Sequence, residues 1–229
     1  MPENPVKRPA ASRAKRYHSP KREEAALTTR RAIRAAALEL FLRDGYARTP
    51  MTAIAKQAGV AEKTVYLAFE SKAALLGEII RVTLRGDDTT ETVDQREDWQ
   101  SMLASPGDEM LARLATVTAS LMERTAHVLA LGEAAAASDP DLAKQRDYGH
   151  ATARADSRAV AEALAASGGL APGLSVDHAA DVIFAVATEE SLYLRLLEEC
   201  GWTAAQYADV LQALLEGALS PEGRGRTRS

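Results

Sequence analysis

The chain has 229 residues, of which 46% are hydrophobic and only 5% aromatic, and its net charge is −4. This length accommodates one large or two small domains with a substantial core, and abundant alanine with few aromatic residues favours close-packed helices. The single cysteine, Cys200, excludes an intramolecular disulfide and a cysteine-based zinc site and fits a reducing cytoplasm. No apolar run approaches the roughly 20 residues that cross a membrane. We therefore expect an all-α, cytoplasmic protein with no membrane contact.

Charge is divided unevenly along the chain. Residues 1–86 contain 17 Lys or Arg against 8 Asp or Glu, whereas residues 87–229 contain 11 against 24. A basic first third joined to an acidic remainder indicates that only the first third meets a polyanion; chance clustering of surface charge is the alternative. Residues 1–22 carry seven basic side chains and little to bury, which predicts a disordered basic tail. That tail either lies along DNA or remains a solvated segment without a defined contact.

The first helix is predicted over about residues 23–44, with Gly45 ending it in a left-handed conformation. Its apolar stripe consists of Ile33, Ala36, Ala37, Leu40 and Phe41.

Residues 50–69, PMTAIAKQAGVAEKTVYLAF, have the pattern of a helix-turn-helix. Each half has a buried side at helical spacing, and Gly59 can take the positive φ that the turn between them requires. Helices this short need packing on neighbours to be stable. Thr49 is expected to cap the first of them, with Pro50 at its first position. In such a motif the second helix enters the DNA major groove.

Further helices are predicted along the rest of the chain, about nine in all. Ser71 caps one that ends near residue 84 or 85, and the polar segment 86–95 is expected to join two domains. The predicted helices then cover about 96–104, 107–137 with a break, 139–167, 176–200 and 203–219, and the SGGLAPGL segment at 167–174 is a loop. The expected organisation is a tail over 1–22, a helix-turn-helix domain over 23–85, a helical domain over 86–220 and a frayed end over 221–229.

Residues 27–80 resemble the amino-terminal domain of the tetracycline-repressor (TetR) family of transcription regulators. The resemblance is carried by TRRAIRAAALELFLRDGY, IAKQAGV, TVYLAF and SKAALL, in that order and at the family's spacing. The segment 180–219, with a GW step at residues 201–202, resembles the end of many actinobacterial members. The resemblance implies an amino-terminal three-helix helix-turn-helix DNA-binding domain and a helical ligand-binding and dimerisation domain.

The resemblance also implies DNA contacts. Lys63 and Thr64 are expected at base edges, because lysine reaches guanine acceptors or phosphate and threonine offers a hydroxyl or a methyl group. Tyr66 and Lys72 match family positions that contact the DNA backbone. The full expected set is Thr49, Thr52, Ala61, Glu62, Lys63, Thr64, Tyr66 and Lys72.

Two of these residues have structural alternatives, and three positions depart from the family pattern. Tyr66 could instead pack on the first helix, and Thr49 could serve only as a cap. Leu67 and Ala68 follow Tyr66 where many relatives have aromatic residues or histidine, which weakens base contacts there. Pro50 replaces a serine or threonine cap and removes one expected phosphate contact.

A ligand pocket in the second domain is implied by the resemblance as well. Its candidates are large or adaptable side chains, although most of them equally fit an ordinary core. They are Trp99, Met102, Met110, Leu114, Met122, His127, Tyr148 and Phe184.

The last two predicted helices carry more apolar surface than one side of a monomeric helix needs, which predicts a homodimer through a four-helix interface. Their apolar residues are Val182, Ile183, Val186, Tyr193, Leu194, Leu197, Tyr207, Val210, Leu211, Leu214 and Leu215. A twofold dimer places two recognition helices about 34–36 Å apart and predicts a palindromic operator of double-stranded DNA.

No catalytic or metal motif is visible. The four histidines are too widely spaced for a local metal site, and adjacent glutamates diverge on a helix, so we expect no cofactor and no enzyme. The expected function is a DNA-binding repressor released by an unknown small-molecule effector. The alternatives are an all-helical sensor or partner-binding protein whose helix-turn-helix does not bind DNA, and an enzyme with an unrecognised site.

Overall fold

A computed structural model of the protein describes residues 20–86, 95–221 and 223, and it gives no side-chain description for residues 20–22 and Asp108. The described residues form ten α-helices and no strand, which confirms the predicted all-α fold. The helices are α1 (Pro20–Asp44), α2 (Met51–Gln57), α3 (Glu62–Ala68), α4 (Lys72–Arg85), α5 (Glu97–Leu103), α6 (Gly107–Ala136), α7 (Pro140–Ala166), α8 (Val176–Ala187), α9 (Glu190–Leu194) and α10 (Ala204–Leu219).

Local signals place the turns and ends of the first four helices largely as predicted, although α1 begins at Pro20, within the predicted tail, rather than at residue 23. Gly45 follows α1 with φ +83°, and Gly59 lies between α2 and α3 with φ +68°. The Ser71 hydroxyl accepts a hydrogen bond from the Ala74 amide at 3.0 Å and caps α4. Because each of these features depends on a few consecutive residues, they can be predicted from sequence.

The predicted cap of α2 is wrong. Pro50, not Thr49, is the N-cap residue, and it has no side-chain capping bond. Thr49 turns its hydroxyl back to the Gly45 carbonyl oxygen at 2.9 Å and is only 2% exposed. The Thr49 hydroxyl therefore binds the loop before α2 and does not cap α2.

Two other helix predictions differ from the structure. The break expected within residues 107–137 is not found, and α6 is continuous over 30 residues. The helix expected over 176–200 is interrupted at Thr188 and Glu189, and residues Arg195–Glu199 after α9 form a π-helical turn. The Thr188 hydroxyl donates to the Phe184 carbonyl oxygen at 2.7 Å. Such a bond to the preceding turn often bends a helix.

Two buried clusters form the interior. One is built on the four amino-terminal helices but also contains Val128, Ala135 and Ala136 of α6 and Leu142 of α7. The other joins α5, α6, α7, α8, α9 and α10. Helix α6 therefore contributes to both clusters, and the helix-turn-helix domain packs on α6 through α1 and α4 and on α7 through α4. The predicted joint between domains lies mostly outside the described residues, as do most of the two predicted tails.

Candidate nucleic-acid interface

The α2–turn–α3 segment is fixed from its inner side. Ile54 and Val65 are fully buried and Phe69 is 2% exposed. The Val60 amide donates to the Ala55 carbonyl oxygen at 3.0 Å across the glycine turn. The guanidinium of Arg30 lies 4.2 Å from the centre of the Phe69 ring and donates to the Ala68 carbonyl oxygen at the end of α3. Helix α1 thus holds both the buried side and the carboxyl end of α3.

An ion-pair cluster connects the same arginine to α4. Arg30 Nε donates to Glu78 Oε1 at 2.7 Å, and Arg34 Nη1 approaches the same oxygen at 3.3 Å. Burial alone raises the pKa of the Glu78 carboxyl, but the hydrogen bond and charges of Arg30 and Arg34 prevail and lower it. Glu78 therefore stays ionised and ties α1 to α4 behind the helix-turn-helix.

The outer side of α3 is polar and open. Ala61, Glu62 and Lys63 are exposed, Thr64 is half-buried, and Tyr66 is 49% exposed. Thr52 on α2 is exposed as well. In the described part of the chain, neither Lys63 nor Tyr66 has a polar side-chain partner, and Tyr66 does not pack into the adjacent buried cluster. Six of the eight predicted contact residues thus border one accessible surface.

The other two predicted contact residues face the protein. Thr49 is buried as described above, and Lys72 Nζ donates to the carbonyl oxygens of Tyr46 at 2.9 Å and Thr49 at 3.2 Å, with that of Ala47 at 3.5 Å. Its ammonium lies 4.3 Å from the centre of the Tyr46 ring, and desolvation lowers the pKa of Lys72. Three carbonyl oxygens of the loop between α1 and α2 lie within 3.5 Å of the ammonium nitrogen, so Lys72 organises that loop.

The same loop contacts the start of α7. Tyr46 is 8% exposed, and its hydroxyl donates to Asp139 Oδ2 at 2.8 Å. Asp139 Oδ1 accepts from the Asp141 and Leu142 amides and caps α7. Chiefly the Tyr46 hydrogen bond lowers the pKa of the Asp139 carboxyl. One carboxylate therefore links the helix-turn-helix domain to the first turn of α7, a contact between distant residues that the sequence did not reveal.

The candidate ligand residues do not form one group. Met102, Met110, Leu114 and Met122 are at most 4% exposed in one buried cluster, and Trp99 packs against it. His127 instead lies on the surface, with Nε2 at 2.6 Å from Glu198 Oε1, and Tyr148 is 76% exposed. Phe184 lies beneath the Arg154 guanidinium at 4.2 Å and near His150. In the described residues no group of His, Cys, Asp and Glu has the arrangement of a metal site, and no helix is long and apolar enough to span a membrane.

Several residues of the predicted dimer surface are buried inside the single chain. Ile183, Tyr193, Tyr207, Leu211 and Leu215 are at most 3% exposed within the single chain. Val210 and Leu214 remain 36% and 49% exposed on α10, and partly exposed apolar residues remain on α8, α9 and the π turn. The apolar surface left for a second subunit is therefore narrower than the sequence predicted.

The helix-turn-helix domain of this chain matches a known protein family. Residues 33–79 match the family of bacterial regulatory proteins named the tetR family. The chain thus contains a domain that matches the TetR family over these residues, which confirms the resemblance noted in its sequence.

Solved structures extend this likeness beyond the matched domain. NalD, the secondary repressor of the MexAB-OprM multidrug efflux pump in Pseudomonas aeruginosa, is 20% identical with a TM-score of 0.66 over 86% of this chain and 98% of NalD. SmeT in its triclosan complex is 21% identical with a TM-score of 0.65, over 85% of this chain and 93% of SmeT. A linker mutant of HlyIIR is 18% identical with a TM-score of 0.60, over 87% of this chain and 97% of that protein. No curated protein matches the chain. These TM-scores show that the chain shares its fold with the three proteins.

Proposed function

We propose that the protein is a homodimeric, ligand-responsive repressor that binds a palindromic operator. The observation that carries this proposal is the outer side of α3, which leaves Lys63 and Tyr66 accessible while Val65 anchors the helix from behind. Lys63 and Tyr66 are three residues apart on α3, so they share its open face, where both can reach a DNA backbone. The basic balance of residues 1–86 supports the same surface, because nucleic-acid affinity depends strongly on positive charge.

Within this surface, Lys63 and Thr64 contact base edges, and Tyr66 donates its hydroxyl to a phosphate. Ala61 and Glu62 lie at the start of α3, where the backbone approaches the DNA, and Thr52 reaches a phosphate from α2. Thr49 and Lys72 act indirectly, since their polar groups already bind the α1–α2 loop. They position α2 and α3 without touching the operator.

The dimer forms through the apolar faces left open on α8, α9 and α10, with Leu214 near the centre of the α10 surface. A twofold arrangement sets two α3 helices one DNA turn apart. SmeT is known in complex with triclosan and NalD is a repressor, which supports a small-molecule effector for this fold. By linkage, an effector that weakens operator binding must itself be bound more weakly by the operator complex, by the same factor.

Selection of bound duplexes from a random DNA pool tests the proposal. We expect enrichment of a palindrome with half-sites about 10 base pairs apart. Lys63→Ala and Thr64→Ala should change the preferred sequence, whereas Lys144→Ala, which removes an exposed lysine on α7, should change neither sequence nor affinity. Recovery of no preferred sequence and no binding at low salt would instead favour the helical sensor that does not bind DNA.

Tyr66→Phe isolates the tyrosine hydroxyl. We expect a loss of affinity that is similar for specific and random duplexes, because a phosphate contact carries no sequence information. Unchanged affinity on both duplexes would show that the hydroxyl does not contact DNA.

A further inference from the structure

Tyr207, in the first turns of α10, has a buried hydroxyl group without a partner. The residue is 1% exposed, and among the described residues no group lies within hydrogen-bond distance of its hydroxyl oxygen. Buried polar groups are nearly always hydrogen-bonded, and an unpaired one destabilises the folded state. A phenylalanine would fill the same volume without that cost, so the hydroxyl needs an explanation.

The Tyr207 ring lies in an apolar and adaptable cluster, although the exposed Glu189 carboxylate is near enough to help raise the pKa of Tyr207. The Tyr193 ring meets the Tyr207 ring edge-to-face, with centres 4.9 Å apart at 83°. Both tyrosines belong to the buried cluster that contains Met102, Met110 and Met122. Methionine is unbranched and flexible, so a core that contains several methionines can repack around a guest molecule.

The helix carrying Tyr193 is irregular on both sides of that residue. The α8–α9 interruption at Thr188 and Glu189 precedes it, and the π-helical turn Arg195–Glu199 follows it. A π-helical turn is often found at a functional site. The wall of the cluster beside Tyr207 is therefore one where the backbone departs from regular helix.

A second subunit cannot satisfy the hydroxyl. Tyr207 is enclosed within the single chain, whereas Val210 and Leu214 of the same helix face outward. A subunit packed on that outward face would meet those two residues and leave the Tyr207 hydroxyl as it is.

We propose that the carboxy-terminal core binds a small, uncharged, mainly apolar molecule whose hydrogen-bond acceptor receives the Tyr207 hydroxyl proton. This inference rests on the proposed function, because the molecule would be the effector. No charged side chain is among the fully buried residues of the described chain, and Glu189, which acts electrostatically on Tyr207, is exposed, so a charged guest would find no buried counterion there. Burial raises the pKa of Tyr207 to about 12, and the hydroxyl is a donor at neutral pH.

Two probe molecules of the same shape test the hydrogen bond. Acetophenone carries a carbonyl acceptor, and α-methylstyrene has a methylene group in its place. Titration calorimetry would compare both probes on the wild-type protein, on Tyr207→Phe and on Tyr148→Phe, the last removing an exposed tyrosine hydroxyl. We expect the ratio of the two affinities to shift about 2- to 10-fold against acetophenone in Tyr207→Phe alone. An unchanged ratio, or binding of neither probe by the wild type, would overturn the inference.

Thermal unfolding without any probe provides a second test. Tyr207→Phe should raise the midpoint by about 2–4 °C, since it removes an unpaired buried hydroxyl, and Tyr148→Phe should leave it unchanged. A lower midpoint for Tyr207→Phe would mean that the hydroxyl already has a partner, and would overturn the inference.

The DNA selection experiment separates this inference from the proposed function. An enriched operator with no probe binding would reject the core site and leave the regulator intact. Probe binding that depends on Tyr207, without any selected DNA, would reject the regulator and support the core site.

Discussion

The hydrogen bond between Tyr46 and Asp139 should contribute measurably to stability, because it joins the α1–α2 loop to the first turn of α7. Its length is 2.8 Å, its acceptor is a carboxylate, and Tyr46 is 8% exposed. Hydrogen bonds to charged groups contribute about 1.5–3 kcal/mol. Asp139 is partly exposed, so solvent screening brings our expectation to about 1–2 kcal/mol. Tyr46→Phe should lower the free energy of unfolding by that amount.

A double-mutant cycle measures the part of this interaction that depends on the carboxylate charge, because an asparagine amide oxygen can still accept from the Tyr46 hydroxyl. Tyr46→Phe, Asp139→Asn and the double variant would be unfolded in urea at one fixed protein concentration, since a dimer's stability depends on concentration. Asparagine caps helices about as well as aspartate, so Asp139→Asn spares the α7 cap while removing the charge. A coupling energy below about 0.3 kcal/mol, which is the error of additivity, would refute the argument.

Three further predictions concern other contacts. Gly107→Ala should destabilise the protein, because a Cβ there would lie 2.6 Å from the Gly169 Cα. Gly149→Ala, whose Cβ would have no atom within 4 Å, should stabilise the protein by about 0.5–1 kcal/mol. A urea midpoint equal to that of the wild type would contradict the prediction for either variant. Lys72→Ala should lower the urea midpoint and leave the salt dependence of operator affinity unchanged; a log–log slope flatter by about one unit would make Lys72 a phosphate contact. The lowered pKa of Asp139 means that its stabilisation is complete above the ordinary value of 3.8 and is lost as pH falls through the folded value, so the free-energy difference between wild type and Asp139→Asn should shrink from about pH 6 to about pH 3; a constant difference would contradict this.

The helix-turn-helix could be predicted because its determinants are local. Gly45, Gly59 and Ser71 each fix a turn or a cap through their own backbone or hydroxyl, and all three do so in the structure. The inward positions of Val65 and Phe69 also follow from helical spacing. The positions of α3 that do not face inward form its outer side, so the surface of the candidate interface was largely predictable.

Residue type alone does not decide the role of a polar side chain that has two possible partners. Lysine and threonine contact phosphate in many DNA-binding domains, but they also satisfy backbone carbonyls. Lys72 and Thr49 bind the loop between α1 and α2, whose carbonyl oxygens come from residues 4 to 26 positions away. Only the folded chain shows which partner is near, so the sequence alone could not decide between the two roles.

Whether the carboxy-terminal tyrosines are buried within one subunit depends on contacts between distant helices, which a local sequence pattern does not show. Tyr193 and Tyr207 lie on helices whose apolar spacing fits a dimer face as well as an interior one. The two rings are interior because helix α6 packs against both α9 and α10 and encloses them within one subunit. The interruption at Thr188 separates α9 from α8. Since α6 also contributes Val128 and Ala135 to the buried cluster of the helix-turn-helix domain, a molecule bound beside α9 and α10 would lie against the same helix on which α1 and α4 pack.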